Sequence, residues 1–126
     1  MKITLKEIPY KHGDENALNY CDVGGDRNFE IVADGTYTVG HCYISEDTET
    51  NNGIPCKAYL DWIEFFSIFR NRHLLRPTLD AICDMFGDIY FESSEKALTK
   101  YRHIGCESQG ISECTELEIF KYSKAA

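Results

Sequence analysis

A cluster of cationic side chains stands out in a chain that is otherwise acidic. Arg70, Arg72, His73 and Arg76 lie within residues 70–76, at the start of an apolar pattern with helical period. Such groups suit a phosphate or diphosphate, because the free backbone N–H groups and the positive dipole end of a helix meet there. The same residues could simply solvate a loop and a helix start, so both interpretations stay open.

Two carboxylates interrupt the most apolar segment of the sequence, residues 58–69. Because a charge is costly inside a buried strand, Asp61 and Glu64 indicate a strand end, a bulge or a hydrated cleft. A bulge would place both carboxylates near one opening. A carboxylate there could accept a proton if burial raised its pKa, or it could form a salt bridge with a nearby arginine.

The six cysteines and four histidines show no spacing typical of a metal site, so no metal is predicted. Without a visible signal peptide, the cysteines are expected to be reduced thiols, most of which pack as small core residues. His41 and Cys42 are neighbours on a predicted strand, so they point to opposite faces and cannot form a catalytic pair. Core packing is expected for both, and Trp62 is expected either in the core or along a groove.

Composition limits the classes of partner. The chain has 126 residues, which is one domain, residues 1–126, and its net charge is −8 with 21 acidic and 13 basic residues. This balance argues against nucleic acid and suits a cationic substrate such as an amine. No apolar stretch is long enough to span a bilayer and no targeting segment is visible, which predicts a cytoplasmic protein that does not use a membrane.

The first half of the chain predicts strands. Alternation over residues 2–8 indicates a first strand, and a short helix fits residues 15–21. Two alternating runs flank Asp34-Gly35, which predicts a β-hairpin because a type I′ turn needs positive φ at both central residues. Residues 45–56 have the composition of an exposed loop. The apolar run over residues 58–69 predicts a central strand buried on both faces.

The second half predicts helices between strands. A helix begins near Leu75, with Pro77 in its first turn, and ends at Gly87. A short strand follows over residues 88–92, and a second helix starts at Ser93 or Ser94 and ends at Gly105. A last strand covers residues 117–122. The order predicts an α/β fold with a mixed β-sheet flanked by helices.

Three segments, in this order, resemble the GNAT superfamily of acyl-CoA-dependent N-acyltransferases. Residues 29–44, FEIVADGTYTVGHCYI, are similar to its second and third strands, F-x-V-A-x-D-G-x-x-V-G. Residues 65–82, FFSIFRNRHLLRPTLDAI, resemble its fourth strand, cofactor loop and following helix. Residues 93–107, SSEKALTKYRHIGCE, resemble N-x-x-A-x-x-F-Y-x-x-x-G-F. The resemblance implies a GNAT-like fold over most of residues 29–107.

The resemblance also implies a site for acetyl-CoA as co-substrate. The family's loop, R/Q-x-x-G-x-G/A, binds the CoA pyrophosphate; here Arg70 matches its first position, but His73 and Leu75 stand where glycines are expected. Larger side chains there could block or displace the pyrophosphate. The implied cofactor-binding residues are Phe65, Phe66, Ser67, Arg70, Asn71, Arg72, His73, Leu74, Leu75 and Arg76.

By the same resemblance, Tyr101 corresponds to the tyrosine that protonates the leaving CoA thiolate, although Lys100 precedes it instead of an aromatic residue. Packing of Tyr101 against the sheet is the alternative. Glu64 resembles the fourth-strand glutamate that serves some members as general base, and Asp61 is the second choice. These assignments predict transfer of an acetyl or acyl group from acyl-CoA to a primary amine on a small molecule or a protein. The departures in the loop leave two alternatives, an inactive GNAT-fold interaction module and an acyl-CoA sensor.

Overall fold

The computed structural model describes residues 1–8, 27–70, 72–93 and 104–125. This part of the chain forms one mixed β-sheet with one α-helix, so the predicted α/β class is confirmed. The strands are β1 (Ile3–Ile8), β2 (Arg27–Ala33), β3 (Tyr37–Glu49), β4 (Pro55–Phe65), β5 (Ile89–Ser93), β6 (Glu107–Ile111) and β7 (Glu118–Tyr122), and the helix is α1 (Leu75–Phe86). The short helix predicted over residues 15–21 and the helix predicted from residue 93 to 105 fall largely outside the described residues.

The sheet order is β1-β2-β3-β4-β5-β7-β6, which puts β4 at its centre as predicted. The pairing of β4 with β5 is parallel, and the other strand pairs are antiparallel. The edge strand β6 was not predicted, because its sequence ESQGI is polar and contains a glycine. Its pairing with β7 supplies a partner that local composition does not reveal.

The predicted hairpin joins β2 to β3. Asp34 and Gly35 have φ values of 52° and 69°, and the Thr36 N–H donates to the Ala33 carbonyl over 3.1 Å. Positive φ at both central residues is what a type I′ turn requires, so this prediction is confirmed.

The prediction of an exposed loop over residues 45–56 is wrong. β3 continues to Glu49 and β4 begins at Pro55, with Thr48 opposite Cys56, so the connection covers only residues 50–54. Thr50 is buried in that turn, where its hydroxyl accepts a hydrogen bond from the Ile54 N–H over 3.0 Å. The acidic composition misled the prediction because pairing with β4 sustains the strand despite its polar residues.

The central strand is shorter and less buried than predicted. β4 ends at Phe65, and a 3-10 turn, Ser67–Phe69, follows it. Cys56, Ala58 and Leu60 are buried while Lys57 is exposed, so this half of the strand alternates instead of being covered on both faces. Residues 61–65 are half-buried, which leaves them available to line a site.

The helix α1 packs on one face of the sheet and closes the core. Leu75, Thr78, Leu79 and Ile82 are its buried residues, and Gly87 ends it with φ 86°, as predicted. Leu79 and Ile82 are fully buried, and each such side chain contributes about 1.5–3 kcal/mol by leaving water. No helix in the described part of the chain is long and apolar enough to cross a bilayer.

The cysteines of the described residues are free thiols. Cys42, Cys56 and Cys106 are buried, which confirms their predicted core role, and burial raises the pKa of Cys42 to about 12. Cys114 is exposed, so it is not one of the core thiols. Cys114 lies in the turn before β7, and such connecting segments usually run over the protein surface.

Candidate functional site

The central strand β4 has a β-bulge at Asp61. Ile44 pairs with Leu60 and the preceding Tyr43 pairs with Trp62, so Asp61 is the extra residue of β4. Its Oδ2 atom accepts a hydrogen bond from Ser45 Oγ over 2.6 Å. The bulge was one of the predicted explanations for a carboxylate in this apolar strand, and the structure confirms it.

The strands β4 and β5 separate just beyond their short region of pairing. Their registered pairs are Ala58 with Ile89 and Tyr59 with Tyr90. Beyond these pairs lies a cavity of about 200 Å³, which we call the interstrand cavity. Its lining comes from β4, β5 and α1: Leu60, Asp61, Trp62, Ile63, Leu75, Leu79, Phe91 and Glu92. Trp62 therefore lines a groove, which was one of its two predicted roles.

A second, larger cleft opens at the N-terminus of α1. It has a volume of about 780 Å³ and combines an apolar wall with four basic side chains. Its lining residues are Phe65, Phe69, Arg70, Arg72, His73, Leu74, Leu75, Arg76, Pro77 and Ile104. We call it the cationic cleft. Leu75 lines both the cationic cleft and the interstrand cavity, so the two spaces share one wall residue at the start of α1.

The structure thus brings together seven of the ten predicted cofactor-binding residues. Phe66 and Ser67 follow β4 but do not line the cationic cleft, and Asn71 lies outside the described residues. Phe66 turns instead toward His41, with the two ring centroids 5.2 Å apart in an edge-to-face arrangement.

The helix end in the cleft is suited to an anion. Leu74 is the N-cap residue, it makes no side-chain capping hydrogen bond, and the first turn contains no acidic residue. The backbone N–H groups at such an end have no partner within the helix and carry the positive end of its dipole. An anionic group in the cleft would therefore meet both backbone N–H groups and basic side chains.

The two positions where the GNAT loop has glycine differ from each other. His73 has a φ of 57°, so it keeps the left-handed backbone conformation that glycine favours. Leu75 begins α1 and is 8% exposed, packed in the hydrophobic core. At position 73 the loop therefore has the backbone conformation that glycine favours, although the residue there is a histidine.

Glu64 and Arg70, both predicted site residues, contact each other. The guanidinium of Arg70 lies 3.4 Å from Glu64 Oε1, and its Nε donates to the Phe65 carbonyl over 3.1 Å. The exposed fractions of the two side chains are 38% for Glu64 and 57% for Arg70. Glu64 lines neither the interstrand cavity nor the cationic cleft, whereas Asp61 lines the cavity. The two carboxylates do not share one opening.

His41 lies beside Glu64 on the face of the sheet opposite α1. Glu30 pairs with His41 across β2 and β3, and His41 pairs with Glu64 across β3 and β4. Burial lowers the pKa of His41 below 6.5, and the neighbouring carboxylates of Glu30 and Glu64 partly offset this. His41 is only half-buried while Cys42 is in the core, so the prediction of core packing is wrong for His41.

Sequence reasoning missed Glu92 and Tyr59. Glu92 is the next-to-last residue of β5 and lines the interstrand cavity, and its carboxylate accepts hydrogen bonds from Asn51 and from Thr115. Burial raises the pKa of Tyr59, and the nearby carboxylates of Glu92 and Asp61 add to the effect, so Tyr59 stays a neutral hydroxyl donor. Only the order of the strands could have indicated these residues, because the carboxyl ends of neighbouring parallel strands meet at one edge of the sheet.

Tyr101, the predicted general acid, lies outside the described residues, and its role stays a prediction. Within the described ranges, no three histidine, cysteine or acidic side chains are grouped so as to hold a metal ion. Comparison of the chain with models of protein families finds no match, and comparison with curated proteins finds none that is significantly similar.

Proposed function

We propose that this chain has a GNAT-like fold, binds acyl-CoA, and transfers its acyl group to a primary amine. The observation that carries the proposal is that the cationic cleft and the interstrand cavity lie on either side of one residue, Leu75. A cleft with basic groups at a helix N-terminus suits the phosphates of CoA. A narrow space between two separating parallel strands suits its pantetheine arm, whose amides can bond to strand edges.

The sheet order supports the GNAT-like fold. The run β1 to β4 is antiparallel, β5 joins β4 in parallel through the crossover helix α1, and β7 and β6 complete the sheet. Segments that resemble GNAT strands fall on observed strands, with residues 29–44 on β2 and β3. The free, buried thiols support a reducing compartment, which agrees with a cytoplasmic protein.

Asp61 is the better placed of the two candidate bases. When bound, acyl-CoA would supply an electrophilic thioester carbonyl, and attack by the amine would break the C–S bond. Asp61 would take the proton that the amine loses, because Asp61 lines the interstrand cavity and a hydrogen bond from Ser45 orients its carboxylate. Alignment of the two reactants would supply most of the rate, since a neutral amine is already a good nucleophile.

Calorimetric titration with acetyl-CoA tests the binding step. We expect micromolar affinity that weakens as salt rises. The Arg72→Ala variant should bind about ten- to a hundredfold more weakly, because charge-assisted bonds to phosphate contribute about 1.5–3 kcal/mol. Lys57→Ala, an exposed cation that does not line the cleft, is the matched control and should bind as the wild type does. No binding at millimolar acetyl-CoA would overturn the proposal.

Turnover with a panel of amines tests the transfer step. Asp61→Asn should lower kcat by about a hundredfold or more while acetyl-CoA still binds, the usual range for a lost general base. Binding without turnover in the wild type would favour the alternative of an acyl-CoA sensor. The contact between Glu64 and Arg70 favours the other alternative, an inactive GNAT-fold interaction module, because it occupies one cation of the cleft.

A further inference from the structure

Arg70 makes two contacts with the end of β4. Its guanidinium lies 3.4 Å from the Glu64 carboxylate, and its Nε donates to the Phe65 carbonyl over 3.1 Å. Arg70 also lines the cationic cleft, where a phosphate would need the same guanidinium. The carboxylate of Glu64 and an incoming anion therefore compete for one cation.

The side chain of Glu64 has a second charged neighbour. Cross-strand pairing places Lys6, Glu30, His41 and Glu64 in one row across β1, β2, β3 and β4. Residues paired in this way have Cβ atoms about 4.5–5.5 Å apart, so their charges interact directly. His41 is thus flanked by Glu30 from β2 and by Glu64 from β4, while Phe66 contacts the edge of its ring.

We propose that Glu64 sets the anion affinity of the cationic cleft by competing for Arg70, and that His41 is the positioning residue that directs the Glu64 carboxylate. The inference rests on the proposed function only in requiring that the cleft binds a phosphate. It replaces the predicted role of Glu64 as general base with a role in ligand affinity.

The effect of pH follows from the charge of His41. Burial lowers the pKa of His41 below 6.5, so at neutral pH the imidazole is uncharged and leaves Glu64 free to pair with Arg70. Below that pKa the imidazolium attracts Glu64 and weakens its hold on Arg70. Glu30 attracts the same imidazolium from the other side, and Lys6 in turn faces Glu30, so only part of the charge acts on Glu64. Anion affinity should rise as pH falls through the His41 pKa.

Replacement of Glu64 tests the competition at neutral pH. Glu64→Gln keeps the shape of the side chain and removes its charge, and we expect acetyl-CoA to bind about two- to fivefold more tightly, the range that an exposed ion pair allows. Glu30→Gln is the matched control, because Glu30 flanks His41 in the same row without contacting Arg70, and it should leave affinity unchanged. Thermal melting verifies that both variants fold. Equal or weaker binding by Glu64→Gln would overturn the inference.

A pH series tests the role of His41. Sulfate is the probe, because it remains a dianion over about pH 5 to 8, the range where histidine titrates. The series uses a His73→Asn background, which removes the other imidazole of the cleft and tolerates positive φ. Sulfate affinity should rise toward acidic pH, and His41→Gln should abolish most of that rise. An unchanged profile in His41→Gln would overturn the positioning role.

The two proposals fail in different ways. If neither sulfate nor acetyl-CoA binds the wild type or Glu64→Gln at any pH, the cationic cleft takes no anion and the proposed function fails together with this inference. If acetyl-CoA binds both proteins equally, the proposed function survives and the inference alone is overturned.

Discussion

His73 combines an unfavourable backbone conformation with a place in the cationic cleft. Its φ of 57° is left-handed, which brings the Cβ of an L-residue close to the following carbonyl oxygen. A chain under no local constraint would place glycine or asparagine there. The start of α1 immediately after Leu74 maintains this conformation, and it turns the chain from the end of β4 into the helix.

Substitution of His73 should reveal that strain. His73→Val should lower the free energy of unfolding by about 1–2 kcal/mol, because a β-branched residue fits poorly at positive φ. His73→Gly should stay within about 1 kcal/mol of the wild type, since relief of the Cβ contact is offset by the greater chain entropy of glycine. Urea unfolding measures both. Arg72→Val, next to it without a positive φ, is the control, and an equal loss there would contradict the explanation.

The basic residues of the cleft could be predicted from sequence because they are close in the chain. Arg70, Arg72, His73 and Arg76 all reach the cleft as the pattern indicated. The sequence indicated a contact of Glu64 with a nearby arginine only as one general possibility. It gave no indication that Glu92 and Asp61 line the same cavity. Both depend on which strands are neighbours, and that is decided by distant parts of the chain.

At the level of elements, the backbones of β3 and β4 leave no room for a side chain at Gly40. A Cβ added there would overlap the Glu64 carbonyl oxygen and lie 3.0 Å from Phe65 Cα, and both are backbone atoms that cannot turn aside. Gly40 pairs with Phe65, which follows Glu64 in β4 and lines the cationic cleft. The position of Glu64 therefore depends on a glycine in the neighbouring strand.

Gly40→Ala should separate the two strands locally. We expect a loss of about 3 kcal/mol in the free energy of unfolding, the upper part of the range for overpacked sites. Gly35→Ala is the control, because Gly35 has a φ of 69° and open space around the added Cβ, so it measures backbone strain alone. Its loss should be about 1–2 kcal/mol. Chemical denaturation of the two variants tests the comparison, and a smaller loss at Gly40 than at Gly35 would refute it.

Elements with strong local signals were predicted well. The α1 helix has a clear apolar period and a glycine at its end, and the β2–β3 hairpin has its Asp34-Gly35 turn. The long end of β3 was missed because residues 45–49 are polar and acidic, and their strand structure depends on pairing with residues 55–59. The same reason applies to β6, whose only partner is β7 within the described part of the sheet.

Across the whole molecule, Arg27 connects more elements than its position at the start of β2 suggests. It forms a two-bond ion pair with Glu7 of β1, with distances of 2.7 and 2.8 Å, and a third bond of 2.9 Å to Glu46 of β3. Its guanidinium also lies 5.2 Å from the centre of the Phe86 ring in α1. One side chain thus ties three strands to the helix.

These contacts predict how stability depends on pH. The hydrogen bonds from Arg27 hold the pKa of Glu7 below its ordinary value of 4.5. A carboxylate with a lowered native pKa stabilises the fold above its unfolded pKa, and this contribution disappears as pH falls through the native pKa.

Arg27→Ala should therefore lower the free energy of unfolding by about 1–2 kcal/mol near neutral pH, as expected for exposed ion pairs together with a cation–π contact. The difference from the wild type should narrow as pH falls below about 4.5 and through the lower native pKa of Glu7. It should not vanish, because the contact with Phe86 does not depend on Glu7. Arg27→Lys keeps the charge but not the two-bond geometry, so its free energy of unfolding should lie between those of the wild type and Arg27→Ala. Urea unfolding from about pH 3 to 7 decides the matter, and a difference that stayed constant over this range would show that the Glu7 pair adds nothing to stability.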